Sequence, residues 1–327
     1  MSRLLTAVLT ICLTGAFSFL YAQDDSDVKR YITENATQLW GNYLKALQNG
    51  VEGDVRFQSF CNDKPALQYN WRVIREKNWG LEESEDPQEN SVRVQSFSSG
   101  YRFIISRKAD AQDWNVQDWN VDSVEKASPN AITNIKDYSF PTGDERDRIP
   151  DYGLCQLIFK GYSLGISDYV PTLLRLPEFT IESAEKVNRD GVDYYQVNFS
   201  FDQPDFPALE IDENDEIPAN YPYVKYPKIT VKSGSLLLTT DYLLIKEAKI
   251  DTIYGPREIK NDYKIVDGVP LISEYHLTIP GKGGDYKETY AFDLRLGTNY
   301  GPSRFKLSHY GLPEPNFDDG AGGDLAR

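Results

Sequence analysis

Two histidines, three cysteines and one methionine in 327 residues leave little of the side-chain chemistry from which most catalytic and metal centres are assembled. The chain has no HExxH, no GxSxG, no Walker loop and no GxGxxG, so zinc-protease, serine-hydrolase, nucleotide and dinucleotide readings lose their usual markers. Cations are also scarce. Thirty-five Lys and Arg face 50 Asp and Glu, a formal charge of −15. That balance excludes nucleic acid as an expected partner, because binding there depends on neutralising phosphates. It also disfavours docking on anionic headgroups. After the first 22 residues no apolar run is long enough to cross a bilayer as a helix.

The N-terminus is different. Arg3 is the only charge before an uncharged stretch from Leu4 to Ala22, and an acidic cluster starts at Asp24. This layout predicts a secretory signal over residues 1–22, cleaved after the small Ala22. An uncleaved anchor is the competing reading, disfavoured because Thr6, Thr10, Thr14, Gly15 and Ser18 dilute the apolar run. Export places the protein in the periplasm or outside the cell. In an oxidising compartment Cys61 and Cys155 are expected to form a disulfide. A catalytic thiol is the other possibility, but neither cysteine has a histidine near it in sequence.

Residues Asp27 to Asn49 carry Val28, Tyr31, Ile32, Leu39, Tyr43, Leu44 and Leu47 at three- and four-residue spacing, which predicts an amphipathic helix closed by Gly50. The period then changes to two. Strands are expected from Val55, around Val92 to Ser96 and from Tyr101 to Arg107, with an acidic loop from Glu82 to Glu89. Residues 109–150 read as a long irregular insert. In it QDWNVQDWN sets Trp114 and Trp119 either as an exposed recognition pair or as plugs at the rim of the core. A second helical signal runs from Ser167 to Leu176.

From Phe179 the strand signal is strongest. Asp190-Gly191 joins two strands, and Tyr195, Val197, Phe199 and Phe201 line one face of the second. An acidic insert, residues 202–222, follows. Its Asp212, Asn214 and Glu216 do not make a calcium loop, because the required glycine is missing. Leu236 to Leu296 reads as an antiparallel meander. Leu271, Tyr275, Leu277 and Ile279 share one face, as do Tyr286, Tyr290, Phe292 and Leu294, while Lys260, Asp262, Lys287 and Asp293 point the other way. A last strand is expected around Phe305 to Tyr310, then a disordered tail over residues 313–327.

The one pair with chemical potential is Glu274 and His276, two apart on one strand. Their face carries other charges and reads as the solvent side, so no catalytic residue and no metal or cofactor is expected.

The segment QLWGNYLKALQNGVEGDVRFQSF, the strand YRFIISRK, a short mid-chain helix and the meander LLTTDYLLIKEAKIDTIYG with IKNDYKIVDGVPLISEYHLTIP together resemble the LolA/LolB-type lipoprotein-carrier superfamily. The resemblance implies an α+β, mainly antiparallel fold: a curled sheet or incomplete β-barrel wrapped around one or two helices, forming a single domain over residues 23–312. It also implies an apolar cavity that holds acyl chains. The one-sided sheet places Phe199, Phe201, Tyr275, Leu277, Tyr290 and Phe292 as candidate ligand-lining residues. A non-enzymatic carrier for a lipid or other hydrophobic ligand is the leading expectation. The alternatives are a structural or envelope-protein-binding module with a filled core, and a hydrolase of an envelope polymer.

Overall fold

The computed structural model describes residues 25–47, 50–76, 79–86, 90–97, 101–109, 119–126, 156–164, 170–174, 176, 178–202, 231–281 and 283–317. The expected signal, Trp114, Cys155, the Asp212 region and nearly all of the 202–222 insert lie outside them.

Helix α1 (Asp25–Ala46) opens the chain with Asp25 and Asp27 in its first turn and Lys45 in its last, each sign favourable at its end of the helix dipole. Six strands follow: β1 (Val51–Cys61), β2 (Lys64–Glu76), β3 (Trp79–Asp86), β4 (Ser91–Phe97), β5 (Tyr101–Lys108) and β6 (Asn120–Lys126). A 3-10 segment (Gln156–Tyr162) and a single helical turn, α2 (Val170–Leu173), separate them from seven more. These are β7 (Phe179–Arg189), β8 (Val192–Phe201), β9 (Val231–Thr239), β10 (Ile245–Thr252), β11 (Gly255–Val266), β12 (Val269–Ile279) and β13 (Tyr286–Leu296).

All thirteen form one open antiparallel sheet in the order β6-β5-β4-β3-β2-β1-β13-β12-β11-β10-β9-β8-β7. The chain therefore enters at the middle, works out to β6, restarts at the far edge with β7 and returns to lie beside β1. Tight turns hold the register. Asp190-Gly191 and Asp267-Gly268 have both residues at positive φ (52° and 83°, 50° and 81°), the backbone of a two-residue hairpin turn whose twist matches the strands. The mainly antiparallel class and the incomplete barrel around a helix are thus as expected.

The sheet carries two cores, on opposite faces. The larger lies on the concave face, where α1 contributes Val28, Ile32, Trp40, Tyr43 and Leu44 and the 3-10 segment contributes Ile158, Phe159 and Tyr162. These pack on β1, β2 and β7 to β13. Tyr43 donates a hydrogen bond to the Pro270 carbonyl at 3.1 Å, and the Ala184 N–H donates to the Asp25 carboxylate at 2.5 Å, pinning both ends of the helix to the sheet.

The register of β2 shows where the pattern changes. Val73 faces Gly53 and Glu82, on the concave side, whereas Ile74 faces Glu52 and Leu81. On that outer side Leu81, Val92, Val94, Tyr101, Phe103 and Ile105 build the second core. Its cover is the C-terminal segment, two 3-10 turns (Pro302–Phe305 and Leu307–Tyr310) that bring in Phe305, Leu307 and Tyr310, with Phe317 beyond.

Several expectations are corrected. Glu82 to Asp86 belong to β3 rather than to an acidic loop, because Glu82 faces Gln95 and Ser84 faces Arg93, polar partners on the wet side of that wing. The 109–150 insert contains β6, and Trp119 plugs the rim of the outer core with the Arg107 guanidinium 5.0 Å over its ring. Phe305 to Tyr310 forms turns, not a strand. The tail expected to be disordered from 313 is packed as far as Phe317: the Tyr101 hydroxyl donates to the Glu314 carboxylate, whose other oxygen accepts the Ser308 N–H at 2.9 Å.

Candidate functional site

Across β2, β1, β13 and β12 the concave floor is aromatic. Register sets Tyr69 opposite Phe57, Phe57 opposite Tyr290 and Tyr290 opposite Tyr275, one row across four strands. Phe57 and Tyr290 lie 4.8 Å apart between ring centres, Phe57 and Trp71 5.7 Å, and Tyr69 and Trp71 5.7 Å. Alternation along each strand makes this row possible, since every second side chain faces the helix. Burial falls off along it. Tyr275 is 1% exposed beneath the 3-10 segment, whereas Tyr69, Trp71 and Tyr286 are only partly buried and Leu67 at the rim is 40% exposed.

Polar groups converge on this bay. Lys160, on the 3-10 segment, sets its ammonium 4.8 Å from the ring centres of both Tyr275 and Tyr290. Among the described residues that ammonium makes no hydrogen bond and no ion pair. Burial holds its pKa below that of an ordinary lysine, with the charge of Glu288 acting the other way. Glu288 is on the same face as Tyr290, two residues along β13 and opposite Ser59. Its carboxylate accepts hydrogen bonds from the hydroxyls of Tyr286 at 3.0 Å and Tyr290 at 3.4 Å. The Tyr286 hydroxyl is pushed up to about 12, by burial first and then by the negative charge of Glu288. Ser59 is fully buried, and its hydroxyl lies near that of Tyr286 without a well-formed hydrogen bond.

The six candidate lining residues divide into two groups. Tyr275, Leu277, Tyr290 and Phe292 are neighbours on β12 and β13, with Tyr275 and Tyr290 edge to face at 5.5 Å. Phe199 and Phe201 are on β8, with three strands intervening, and Phe199 stacks on Phe179 at 4.9 Å. All six are at least nine-tenths buried against the protein's own side chains. The partly open aromatic positions Tyr69 and Trp71, and the charged pair Lys160 and Glu288, were not singled out from sequence. β2 has a weak alternation and Lys160 lies in a short irregular segment, so only the register brings them together.

Glu274 and His276 do meet, with Glu274 Oε2 3.0 Å from His276 Nε2, on the outer face and both well exposed. Asp262, directly opposite Glu274 on β11, joins them, and one ligand atom from each of the three lies within 4.8 Å of the others. Lys246 occupies the Asp262 carboxylate. Cys61 is exposed at the end of β1, while Cys155 is outside the described residues.

No protein-family model and no curated sequence matches the chain. Among solved structures it is similar to a LolA-superfamily protein of Nitrosomonas europaea, at 10% identity over 84% of this chain and 98% of that one, with a TM-score of 0.41. It is also similar to a DUF1329-family protein of Desulfovibrio piger, at 11% identity over 86% and 99%, TM-score 0.44. A putative outer membrane lipoprotein-sorting protein domain of Vibrio parahaemolyticus follows at 9% identity over 85% and 99%, TM-score 0.41. Among the described residues no helix is long and apolar enough to cross a membrane.

Proposed function

We propose that the chain is an exported, non-enzymatic binding or carrier protein for a lipid or other hydrophobic ligand, taken up at the bay of Phe57, Tyr69, Trp71 and Tyr290. One observation carries this reading. The aromatic floor runs from the sealed core out to Tyr69 and Trp71, which pack against that core and stay partly exposed. Ligand sites of this kind pair a mostly apolar wall with a few placed polar groups, and here those groups are Lys160, Glu288 and Ser59.

Titration with a fluorescent apolar probe such as N-phenyl-1-naphthylamine tests it. Saturable uptake by the folded protein that is lost in Tyr69→Ala/Trp71→Ala, with the melting temperature largely kept, supports the reading. Equal uptake by both proteins refutes the placement.

A second reading has a specific observation in its favour. The deep burial of Phe199, Phe201, Tyr275, Leu277, Tyr290 and Phe292 suits a filled half-barrel that acts as a structural or envelope-protein-binding module. That reading predicts no probe uptake at all. Export further entails a Cys61–Cys155 disulfide, closing a loop of roughly a hundred residues and stabilising by about 4–5 kcal/mol in the chain-entropy model. Alkylation of both thiols without prior reduction removes this part of the proposal.

A further inference from the structure

The bay contains two polar groups whose hydrogen-bonding capacity is unspent. The Lys160 ammonium carries three N–H donors and rests on two ring faces. Cation–π contact with tyrosine compensates a buried ammonium only in part, and a buried charge without a partner is costly. Ser59 adds a fully buried hydroxyl that, among the described residues, lies beside the Tyr286 hydroxyl without a well-formed hydrogen bond, one row along the same face and about 7 Å on by strand geometry. Both call for acceptors. Glu288 does not supply them: no ion pair links it to Lys160 among the described residues, and its carboxylate, which accepts from Tyr286 and Tyr290, keeps further acceptor sites of its own.

The charges also constrain the occupant. Lys160 and Glu288 sum to zero, so an anionic head alone would leave a net negative charge in a partly desolvated bay, beside a carboxylate. A head that carries one negative and one positive group restores balance at both ends. The negative end needs several acceptor oxygens for Lys160 and Ser59. The positive end finds the carboxylate of Glu288, which lies directly across from Ser59 and two residues along from Tyr290, so both ends of a short head fall on neighbouring positions.

We propose that the bay takes a single-chain amphiphile with a zwitterionic phosphodiester head, its phosphate at Lys160 and Ser59, its ammonium at Glu288, and its acyl chain on the aromatic floor. This rests on the reading that the bay binds a hydrophobic ligand, and it names the class of head that the bay selects.

The test is calorimetric titration of the full chain, purified without detergent, with three lipids of the same acyl chain below their critical micelle concentrations. These are lysophosphatidylethanolamine, lysophosphatidylglycerol and monoacylglycerol. The expected result is that lysophosphatidylethanolamine binds about tenfold or more tightly than monoacylglycerol, the value of one charge-assisted hydrogen bond. It also binds more tightly than lysophosphatidylglycerol. Lys160→Met abolishes the advantage over monoacylglycerol but leaves monoacylglycerol binding intact, and Glu288→Gln abolishes the advantage over lysophosphatidylglycerol.

Lys160→Met keeps or raises the melting temperature, because an unpaired ammonium is replaced by an apolar chain of similar length. A purely structural lysine would lower it. Equal binding of all three lipids, or tightest binding of lysophosphatidylglycerol, overturns the head assignment and leaves the hydrophobic site standing. Binding of none of the three by folded protein overturns the site itself. Inorganic phosphate is the remaining arm: if it displaces the lysolipid at equal concentration, the site is a plain anion site and the amphiphile assignment falls.

Discussion

Val73 and Ile74 are adjacent in the chain and both fully buried, yet they belong to different cores on opposite faces of one sheet. A strand of a half-open antiparallel sheet normally buries one face. β2 buries both near its end because α1 covers one side and the C-terminal segment covers the other. The outer core should therefore support stability without touching the bay. Phe305→Ala removes a fully buried ring and is expected to cost about 3–5 kcal/mol, read as a lower denaturation midpoint, with probe affinity unchanged. A loss of affinity in folded Phe305→Ala protein would show that the two faces are coupled.

The C-terminal segment is fastened through Tyr101, whose hydroxyl accepts the Leu307 N–H at 2.9 Å and donates to Glu314. Tyr101→Phe leaves that buried N–H unsatisfied and should destabilise by about 1–3 kcal/mol, with the C-terminal amides exchanging faster in hydrogen-exchange measurements. Unchanged exchange there would remove Tyr101 from this role.

Glu314 gives the fastening a pH dependence. Burial alone would raise its pKa, but hydrogen bonds from Ser308 and Tyr101 outweigh it and hold the carboxyl below the ordinary glutamate value. A depressed folded pKa means that stabilisation is present above about pH 4.3, the unfolded value, and is lost as pH falls through the folded pKa. Glu314→Gln should therefore weaken the protein near neutral pH and differ less from wild type in acid. A difference that grows in acid would reverse the assignment.

Deep positions and bay positions should behave differently. Phe199→Asp and Leu277→Asp place an unpaired charge among sealed side chains, and circular dichroism is expected to show unfolded or severely destabilised protein. Trp71→Ala, at the partly open edge, should stay folded and lose uptake. If Phe199→Asp folds and only uptake fails, the cavity extends to β8.

The Asp262, Glu274 and His276 group lies on the wet face and should be dispensable. Glu274→Gln and His276→Ala are expected to shift stability by no more than about 0.5 kcal/mol, as for exposed pairs, and to leave uptake unaltered. Loss of a polymer-degrading activity in either variant would instead revive the hydrolase alternative.

The meander from Leu236 to Leu296 was legible because its turns carry Asp-Gly and Gly-rich signals and its strands alternate cleanly. The helix Asp27 to Asn49 was legible from its spacing, within a few residues of α1. The outer core was not. Its strands β3 to β6 bury the face that opposes the concavity, and alternation fixes which residues go together but not which side of the sheet they take. The strip from Phe305 to Tyr310 departs from the expected strand for a related reason: its apolar residues pack on the outer core of β3 to β5 as turns laid on a surface. The bay itself depends on register between β2, β1, β13 and β12, a long-range relation that no local pattern announces. Lys160 was invisible until the 3-10 segment was placed over Tyr275 and Tyr290.

Native mass spectrometry of the protein, expressed with its full sequence and purified without detergent, tests the central claim most directly. The account predicts a fraction heavier than the denatured mass that releases a lipid on activation, with that fraction absent in Tyr69→Ala/Trp71→Ala. A mass equal to the denatured one, unchanged after incubation with excess lysophosphatidylethanolamine, would contradict it and leave a filled half-barrel.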